Sequence, residues 1–269
     1  MTERDEAVLL TDGVVRTERI GHVLLITLNR PDARNAMNTE QAIALGEAVE
    51  LLETDQELRV AVLTGAGKAF CAGQDLKALS DGESVVPDAH PEWGFGGLVS
   101  HPSTKPIIAA VHGFAFGGGL ELALSCDLIV ATAGSKLGLP EVTVGLFAAG
   151  GGVPRIAQQI PEKVAARMVL TGKPITAEEA LGWGLVNEVV ADGEHVDAAL
   201  ALAEEIAANA PLAVQVSKRL LRAGSWSSTW TEEQWPAIAE AFFGLLKTED
   251  GVEGPLAFAE KRAPVWKGR

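Results

Sequence analysis

Two glutamates, Glu121 and Glu141, lie within a largely apolar stretch of the chain, residues 105–152. A carboxylate buried among apolar residues is costly unless it is paired or used in a reaction. Each glutamate alone has an ordinary explanation, Glu121 at a helix N-terminus and Glu141 in a loop or at the start of a helix. With glycine clusters near both, the pair predicts two carboxylates that converge on one pocket. Such a pair can hold a water molecule and act as base and acid in its addition to a double bond.

A cluster of three glycines, residues 117–119, precedes the helical sequence LELALS. Backbone N–H groups at a helix N-terminus lack intrahelical partners and carry partial positive charge. They can stabilise a carbonyl oxygen that develops negative charge, as an oxyanion hole does. The cluster has neither the dinucleotide-binding nor the phosphate-loop spacing. Close packing of a strand on a helix explains three glycines equally well, so both interpretations stay open at this point.

Other catalytic classes have weaker support in the sequence. The five histidines are scattered, and no G-x-S-x-G motif is present, which disfavours a serine hydrolase. The two cysteines, Cys71 and Cys126, have apolar neighbours and no metal-ligand spacing. We therefore predict reduced core cysteines and no metal site.

Composition limits the class of protein. A chain of 269 residues with 47% apolar residues predicts one sizeable globular domain, or one domain with a smaller appendage. A net charge of −14 argues against non-specific nucleic-acid binding but leaves room for a phosphorylated ligand beside a local basic cluster. The longest run of low charge, residues 106–132, is interrupted by glycines, His112, Glu121 and Asp127, so it does not predict a membrane span. The N-terminal sequence has no signal-peptide pattern, and we expect a cytoplasmic protein.

The elements that must position these residues alternate between strand and helix to about residue 195, and helices follow. Two strands are predicted within residues 14–29, and a helix capped by Asn38 comes next. Residues 80–104 predict a long irregular segment near the site. The pattern as a whole indicates an α/β core followed by a helical C-terminal part.

Five segments, together and in this order, resemble the crotonase superfamily, and within it they are most similar to enoyl-CoA hydratases. They are LNRPDARNAMN (28–38), GAGKAFCAGQDLKAL (65–79), AAVHGFAFGGGLELALSCDLIVA (109–131), LGLPEVTVGLFAAGGG (137–152) and LTGKPITAEEALGWGLVNEVV (170–190). The resemblance implies an α/β (α+β) fold, a spiral of repeated ββα units over residues 1–195. Residues 196–269 would then form a helical region that builds homotrimers, often paired into hexamers. It also implies an acyl-CoA thioester substrate and neither a cofactor nor a metal, since CoA is part of the substrate.

The resemblance also assigns roles to individual residues. The thioester carbonyl would lie between the backbone N–H groups of Gln74 and Gly118, and the two catalytic glutamates would be Glu121 and Glu141. The positions that match the family's CoA-binding segment are Ala72, Asp75, Leu76 and Lys77. The positions that match residues reaching the CoA of a neighbouring subunit are Phe258 and Lys261.

Two departures from the family pattern bear on the rate and the acyl preference more than on the reaction class. Gln74 stands where many hydratases have alanine, and Ala149 stands where many have glycine. Within the superfamily, an enoyl-CoA isomerase or a carnitinyl-CoA-type dehydratase is the alternative to a simple hydratase. A non-catalytic acyl-CoA-binding protein is the alternative from another class, and the presence of both glutamates argues against it.

Overall fold

The computed structural model describes residues 7–209, 211–226, 243–244 and 246–265. In these ranges the chain has a mixed α/β fold with one large and one small sheet. None of the helices in these ranges is both long and apolar enough to cross a membrane.

The larger sheet of the described chain has seven strands. In the order in which they lie side by side, they are β1 (Val8–Thr11), β2 (Val15–Ile20), β3 (Val23–Leu28), β4 (Val60–Gly65), β5 (Ile107–Val111), β7 (Leu128–Thr132) and β10 (Glu188–Val190). The first three strands pair antiparallel, and every pairing from β3 onward is parallel. The smaller sheet contains β6 (Phe114–Phe116), β8 (Lys136–Gly138) and β9 (Ile175–Thr176).

Helices pack on the large sheet and follow it in the described C-terminal ranges. They are α1 (Thr39–Thr54), α2 (Leu76–Ser80), α3 (Gly118–Ser125), α4 (Gly152–Gln159), α5 (Glu162–Thr171), α6 (Ala177–Gly182), α7 (His195–Ala207), α8 (Pro211–Trp226) and α9 (Glu249–Ala259). Short 3-10 turns occur at Pro31–Ala33, Pro91–Trp93, Phe95–Gly97 and Glu141–Val144.

Both faces of the parallel strands are buried, because side chains alternate between the faces and helices cover each face. On β3, Leu24 and Ile26 join the core that includes apolar residues of α1 and α3. Val23 and Leu25 point the other way and join a second core with Leu200 and its neighbours on α7. The two cores therefore fix the positions of the central strands, and the loops of the site begin where these strands end.

Most predicted elements are present. The strands within residues 14–29 are β2 and β3, and the Asn38 side chain accepts a hydrogen bond from Gln41 N at the start of α1. The Gln41 side chain donates to the Val14 carbonyl oxygen. In the C-terminal part, α7 ends at Ala207 and Pro211 is the first residue of α8.

Ion pairs fix α8 against the core. Lys218 is 7% exposed, and its Nζ lies 2.8 Å from Asp127 Oδ2 and donates to the Lys105 carbonyl oxygen. Arg222 donates to the other carboxylate oxygen of Asp127 at 2.9 Å. The division at residues 195 and 196, and the role of the C-terminal helices in trimer formation, stay predictions.

Candidate active site

A cavity of about 1790 Å³ opens beside the N-terminus of α3. It is larger than the roughly 300–1,000 Å³ of ordinary small-molecule pockets, and therefore has room for an extended ligand. Nine of the ten residues that sequence reasoning assigned to a site line this one cavity; they are Ala72, Gln74, Asp75, Leu76, Lys77, Gly118, Glu121, Glu141 and Phe258. The tenth, Lys261, is exposed and is not part of the cavity wall.

Glu121 lies in the first turn of α3 and is only 3% exposed. Its Oε1 accepts a 2.8 Å hydrogen bond from the backbone N–H of Gly152. Burial raises the pKa of Glu121 to about 7, while the hydrogen bond from Gly152 and the positive charge of Arg155 act in the opposite direction. Glu121 thus titrates near neutral pH, where a carboxyl group can both accept and donate a proton.

Two glycines leave the space that the Glu121 carboxylate occupies. A Cβ atom at Gly150 would lie 2.7 Å from Glu121 Oε2, and one at Gly152 would lie 2.9 Å from Oε1. Both distances are too short for a real side chain. In the glycine cluster at residues 150–152, the positions that contact the Glu121 carboxylate therefore have no room for a side chain.

Glu141 is the first residue of the 3-10 turn Glu141–Val144. A Cβ atom at Gly117 would lie 3.2 Å from Glu141 Oε1, which places this carboxylate beside the N-terminus of α3. Its Oε2 is buried and accepts no hydrogen bond from the part of the chain that the structure describes. Burial, and then the charge of Glu121, raise the pKa of Glu141 to about 8. The charge of one glutamate therefore affects the protonation of the other. Both residues line the same cavity, as the sequence predicted.

Two backbone N–H groups lie at the same end of α3. Gly118 is the first residue of the helix. Gln74 forms a parallel bridge with Met37, whose N–H donates to the residue before Gln74 and whose carbonyl accepts from the residue after it. Neither Gln74 N nor Gly118 N donates to another group in the described ranges. The segment that carries Gln74 lies close to Gly118, since a Cβ atom on Gly73 would lie 3.1 Å from Gly118 N. Two unpaired donors that converge can bind a single carbonyl oxygen.

The structure shows a packing role for the cluster at residues 117–119, and the oxyanion role stays a prediction. Gly119 permits close packing, since a Cβ atom there would lie 2.3 Å from the Cys71 carbonyl oxygen. Gly117 immediately precedes the helix with φ 56°, a conformation that favours glycine.

Residues of the α2 region differ in what their side chains contact. The Asp75 carboxylate caps α2 by accepting hydrogen bonds from Lys77 N and Ala78 N, and it forms a 3.1 Å ion pair with Arg30. Lys77 is exposed at the cavity rim. Arg34 also lines the cavity, although sequence reasoning did not select it.

Sequence reasoning also missed Phe95 and Arg155. A Cβ atom at Gly118 would lie 2.2 Å from the Phe95 ring, so this ring packs directly against Gly118, and both residues line the cavity. Phe95 belongs to the irregular segment 80–104, where the conformations of Gly94, Gly96 and Gly97 all have positive φ. That run of glycines was the only local sign that the segment folds back over the site.

Comparison with known proteins identifies the family. The family model described as enoyl-CoA hydratase/isomerase matches residues 18–269. The chain belongs to this family, within the crotonase superfamily.

Similar proteins narrow the type of reaction. A carnitinyl-CoA dehydratase of Salmonella typhi is 45% identical over 255 residues, which is 93% of this chain and 97% of that protein. The crystal structure of a carnitinyl-CoA hydratase from Mycobacterium avium is 55% identical with a TM-score of 0.91, and the match covers 96% of this chain and 100% of that one. An enoyl-CoA hydratase structure from Mycobacterium tuberculosis H37Rv is 43% identical with a TM-score of 0.76 at the same coverage. The protein is thus a crotonase-family enzyme of the hydratase/dehydratase lyase type.

Proposed function

We propose that this enzyme catalyses the reversible syn addition of water to the 2,3 double bond of an enoyl-CoA thioester. The observation that carries the proposal is the pairing of two carboxyl groups with raised pKa values, Glu121 and Glu141, beside two unpaired backbone donors in one cavity. Each of these features is required by the chemistry of the reaction.

The backbone donors act on the thioester. Its carbonyl oxygen would accept hydrogen bonds from Gln74 N and Gly118 N, which polarises the conjugated double bond. Negative charge grows on this oxygen when water adds to C3, so the two donors bind the transition state more strongly than the substrate. Loss of one such donor typically reduces the rate by about 10²–10³-fold.

The glutamates move the protons. As the water oxygen bonds to C3, one carboxylate removes a proton from the water, and the electrons of the double bond pass to an enolate. C2 then receives a proton from the second carboxyl group. The reverse sequence eliminates water from the 3-hydroxyacyl thioester. Because Glu121 and Glu141 titrate as a coupled pair, these roles belong to the pair and not to one named residue.

The rest of the cavity suits the CoA portion. Lys77 and Arg34 supply positive charge for phosphate groups, and Ala72 and Leu76 supply apolar contacts. The proposed reaction transfers only protons and water, so it requires neither a metal nor a redox cofactor. The contribution of Phe258 and Lys261 to the CoA site of a neighbouring subunit, and the trimeric or hexameric assembly, remain part of the proposal.

A carnitinyl-CoA substrate is the second candidate, favoured by the names of the Salmonella and Mycobacterium avium relatives. Its acyl group carries a trimethylammonium cation, which aromatic ring faces can bind. Phe95, Phe116 and Phe147 all line the cavity. The reaction at C2 and C3 would be the same, with dehydration as the measured direction.

The experiment compares crotonyl-CoA, a longer 2-enoyl-CoA and carnitinyl-CoA, and follows the ultraviolet absorbance of the enoyl thioester. A simple hydratase should remove this absorbance from the first two substrates and form 3-hydroxyacyl-CoA, as detected by mass spectrometry. Preference for carnitinyl-CoA, with a rise in absorbance, would support the second candidate. A product that is a 3-enoyl-CoA without added water would indicate isomerisation, and binding without turnover of any thioester would contradict both candidates.

A further inference from the structure

We infer that Arg155 is a positioning residue whose buried guanidinium fixes the turn at residues 150–152 and thereby the carboxylate of Glu121. Arg155 lies in α4 and is 2% exposed. One of its terminal nitrogens donates to the Gly150 carbonyl oxygen at 3.1 Å, and the other donates to the Val99 carbonyl oxygen. In its effect on catalysis the inference rests on the proposed function, whereas its effect on Glu121 is independent of any substrate.

The contacts connect Arg155 to Glu121 through the backbone. Gly150 is held at its carbonyl by the guanidinium, and Gly152, two residues later, donates its N–H to Glu121 Oε1. Only backbones without Cβ atoms fit here, because both glycines touch the carboxylate. A turn made of glycines has many accessible conformations, so hydrogen bonds from outside the turn are needed to stabilise one of them.

The second contact, to the Val99 carbonyl oxygen, connects Arg155 to the segment that packs over the site. Val99 belongs to the irregular segment that carries Phe95, and a Cβ atom at Gly150 would lie 3.1 Å from the Cβ of Phe95. One planar guanidinium thus fixes the glycine turn and the segment that packs on it. A lysine has a single nitrogen at its end and cannot reproduce this fork.

Charge provides a second, separable effect. The positive charge of Arg155 lowers the pKa of Glu121 against the effect of burial. The other charged or titratable groups involved are Glu141 beside Glu121, and Arg222 and Cys126 beside Arg155. Without the guanidinium, Glu121 should hold its proton to a higher pH.

The test uses Arg155→Lys and Arg155→Met, with Arg59→Met as a matched control. Arg59 also donates to a backbone carbonyl, that of Ala207, but it does not line the cavity. Difference infrared spectroscopy follows the protonated carboxyl band of Glu121 against pH, with Glu121→Gln to identify the band. This measurement requires no substrate. Steady-state kinetics on the thioester that the wild type prefers then separate kcat from KM.

We expect Arg155→Met to raise the pH midpoint of the Glu121 band by about one unit, a tenfold change in proton affinity. We expect Arg155→Lys to leave that midpoint close to the wild type but to lower kcat at least about tenfold, with KM changed less than threefold. If Arg155→Met does not fold, the inference is tested by comparing kcat of Arg155→Lys with that of the Arg59→Met control. A Glu121 midpoint and a kcat that match Arg59→Met in every folded Arg155 variant would overturn the inference. A wild type without turnover would defeat the proposed function, while the infrared titration would still test the role of Arg155.

Discussion

The backbone N–H of Gly152 donates a 2.8 Å hydrogen bond to Oε1 of Glu121, a residue 31 positions earlier in the chain. This contact joins the first turn of one helix, α3, to the first residue of another, α4. It satisfies a donor at a helix N-terminus with a buried carboxylate. It also fixes that carboxylate at the wall of the cavity, where Glu141 lies beside the same end of α3.

The glycine turn should not tolerate a methyl group. A Cβ atom at Gly150 would lie 2.7 Å from Glu121 Oε2, so Gly150→Ala must displace the carboxylate. Since displacements of about 1 Å at a reacting group can cost 10²-fold, we expect kcat to fall by about that factor. Steady-state kinetics check this, with circular dichroism to show that the variant is folded. Gly182→Ala is the matched control, because a Cβ atom there meets nothing within 4 Å. Wild-type activity in Gly150→Ala would contradict the packing argument.

Stability should depend on pH through Glu141. Burial and the charge of Glu121 raise its pKa from 4.5 to about 8, so the folded state binds this proton more tightly than the unfolded chain does. The resulting stabilisation is complete below pH 4.5 and is lost as the pH rises through 8. Glu141→Gln removes this loss. Its free energy of unfolding relative to wild type should therefore increase between pH 6 and pH 9, by at least ~1 kcal/mol.

Urea denaturation at the two pH values measures this difference. Glu205→Gln, at an exposed position on α7, is the matched control for the substitution itself. If the difference in free energy of unfolding between Glu141→Gln and wild type stays constant or decreases towards pH 9, the pKa of Glu141 is not raised in the folded state.

Lys77 should contribute to CoA binding and not to the chemical steps. Its side chain is exposed at the cavity rim, so a contact with a phosphate would be weakened by solvent. We expect Lys77→Ala to raise KM by about fivefold, corresponding to roughly 1 kcal/mol, with kcat nearly unchanged. Lys173→Ala, an exposed lysine outside the cavity, is the control. Added salt should reduce the difference between Lys77→Ala and wild type. An equal KM for the two lysine variants at low salt would exclude Lys77 from the CoA site.

The parts of the fold that could be predicted depend on neighbours in sequence. The strands β2 and β3 follow from alternation around a turn, and the start of α1 follows from the capping side chain of Asn38. The three-residue strand β6 was not predicted, because its pairing with β8 depends on tertiary contacts and not on a local pattern.

The residues of the site also differ in whether their local sequence indicates them. Glu121 and Glu141 were selected because a carboxylate among apolar residues conflicts with its surroundings. Arg155 shows no such conflict in the sequence, and its partner Val99 is 56 residues away. Phe95 likewise reaches Gly118 only because the irregular segment folds back, a path that its glycines permit but do not determine.

The most direct test of the central claim compares the wild type with Glu121→Gln and Glu141→Gln, and uses Glu178→Gln, an exposed position on α6, as the control. The rate of absorbance change is measured with the preferred thioester, and binding of a saturated acyl-CoA is measured by calorimetry. We predict that each site variant binds the saturated thioester with nearly wild-type affinity but turns over at least about 10³-fold more slowly, since each removes one proton-transferring group. Turnover within tenfold of wild type in either variant would contradict the claim that the two glutamates form the acid–base pair.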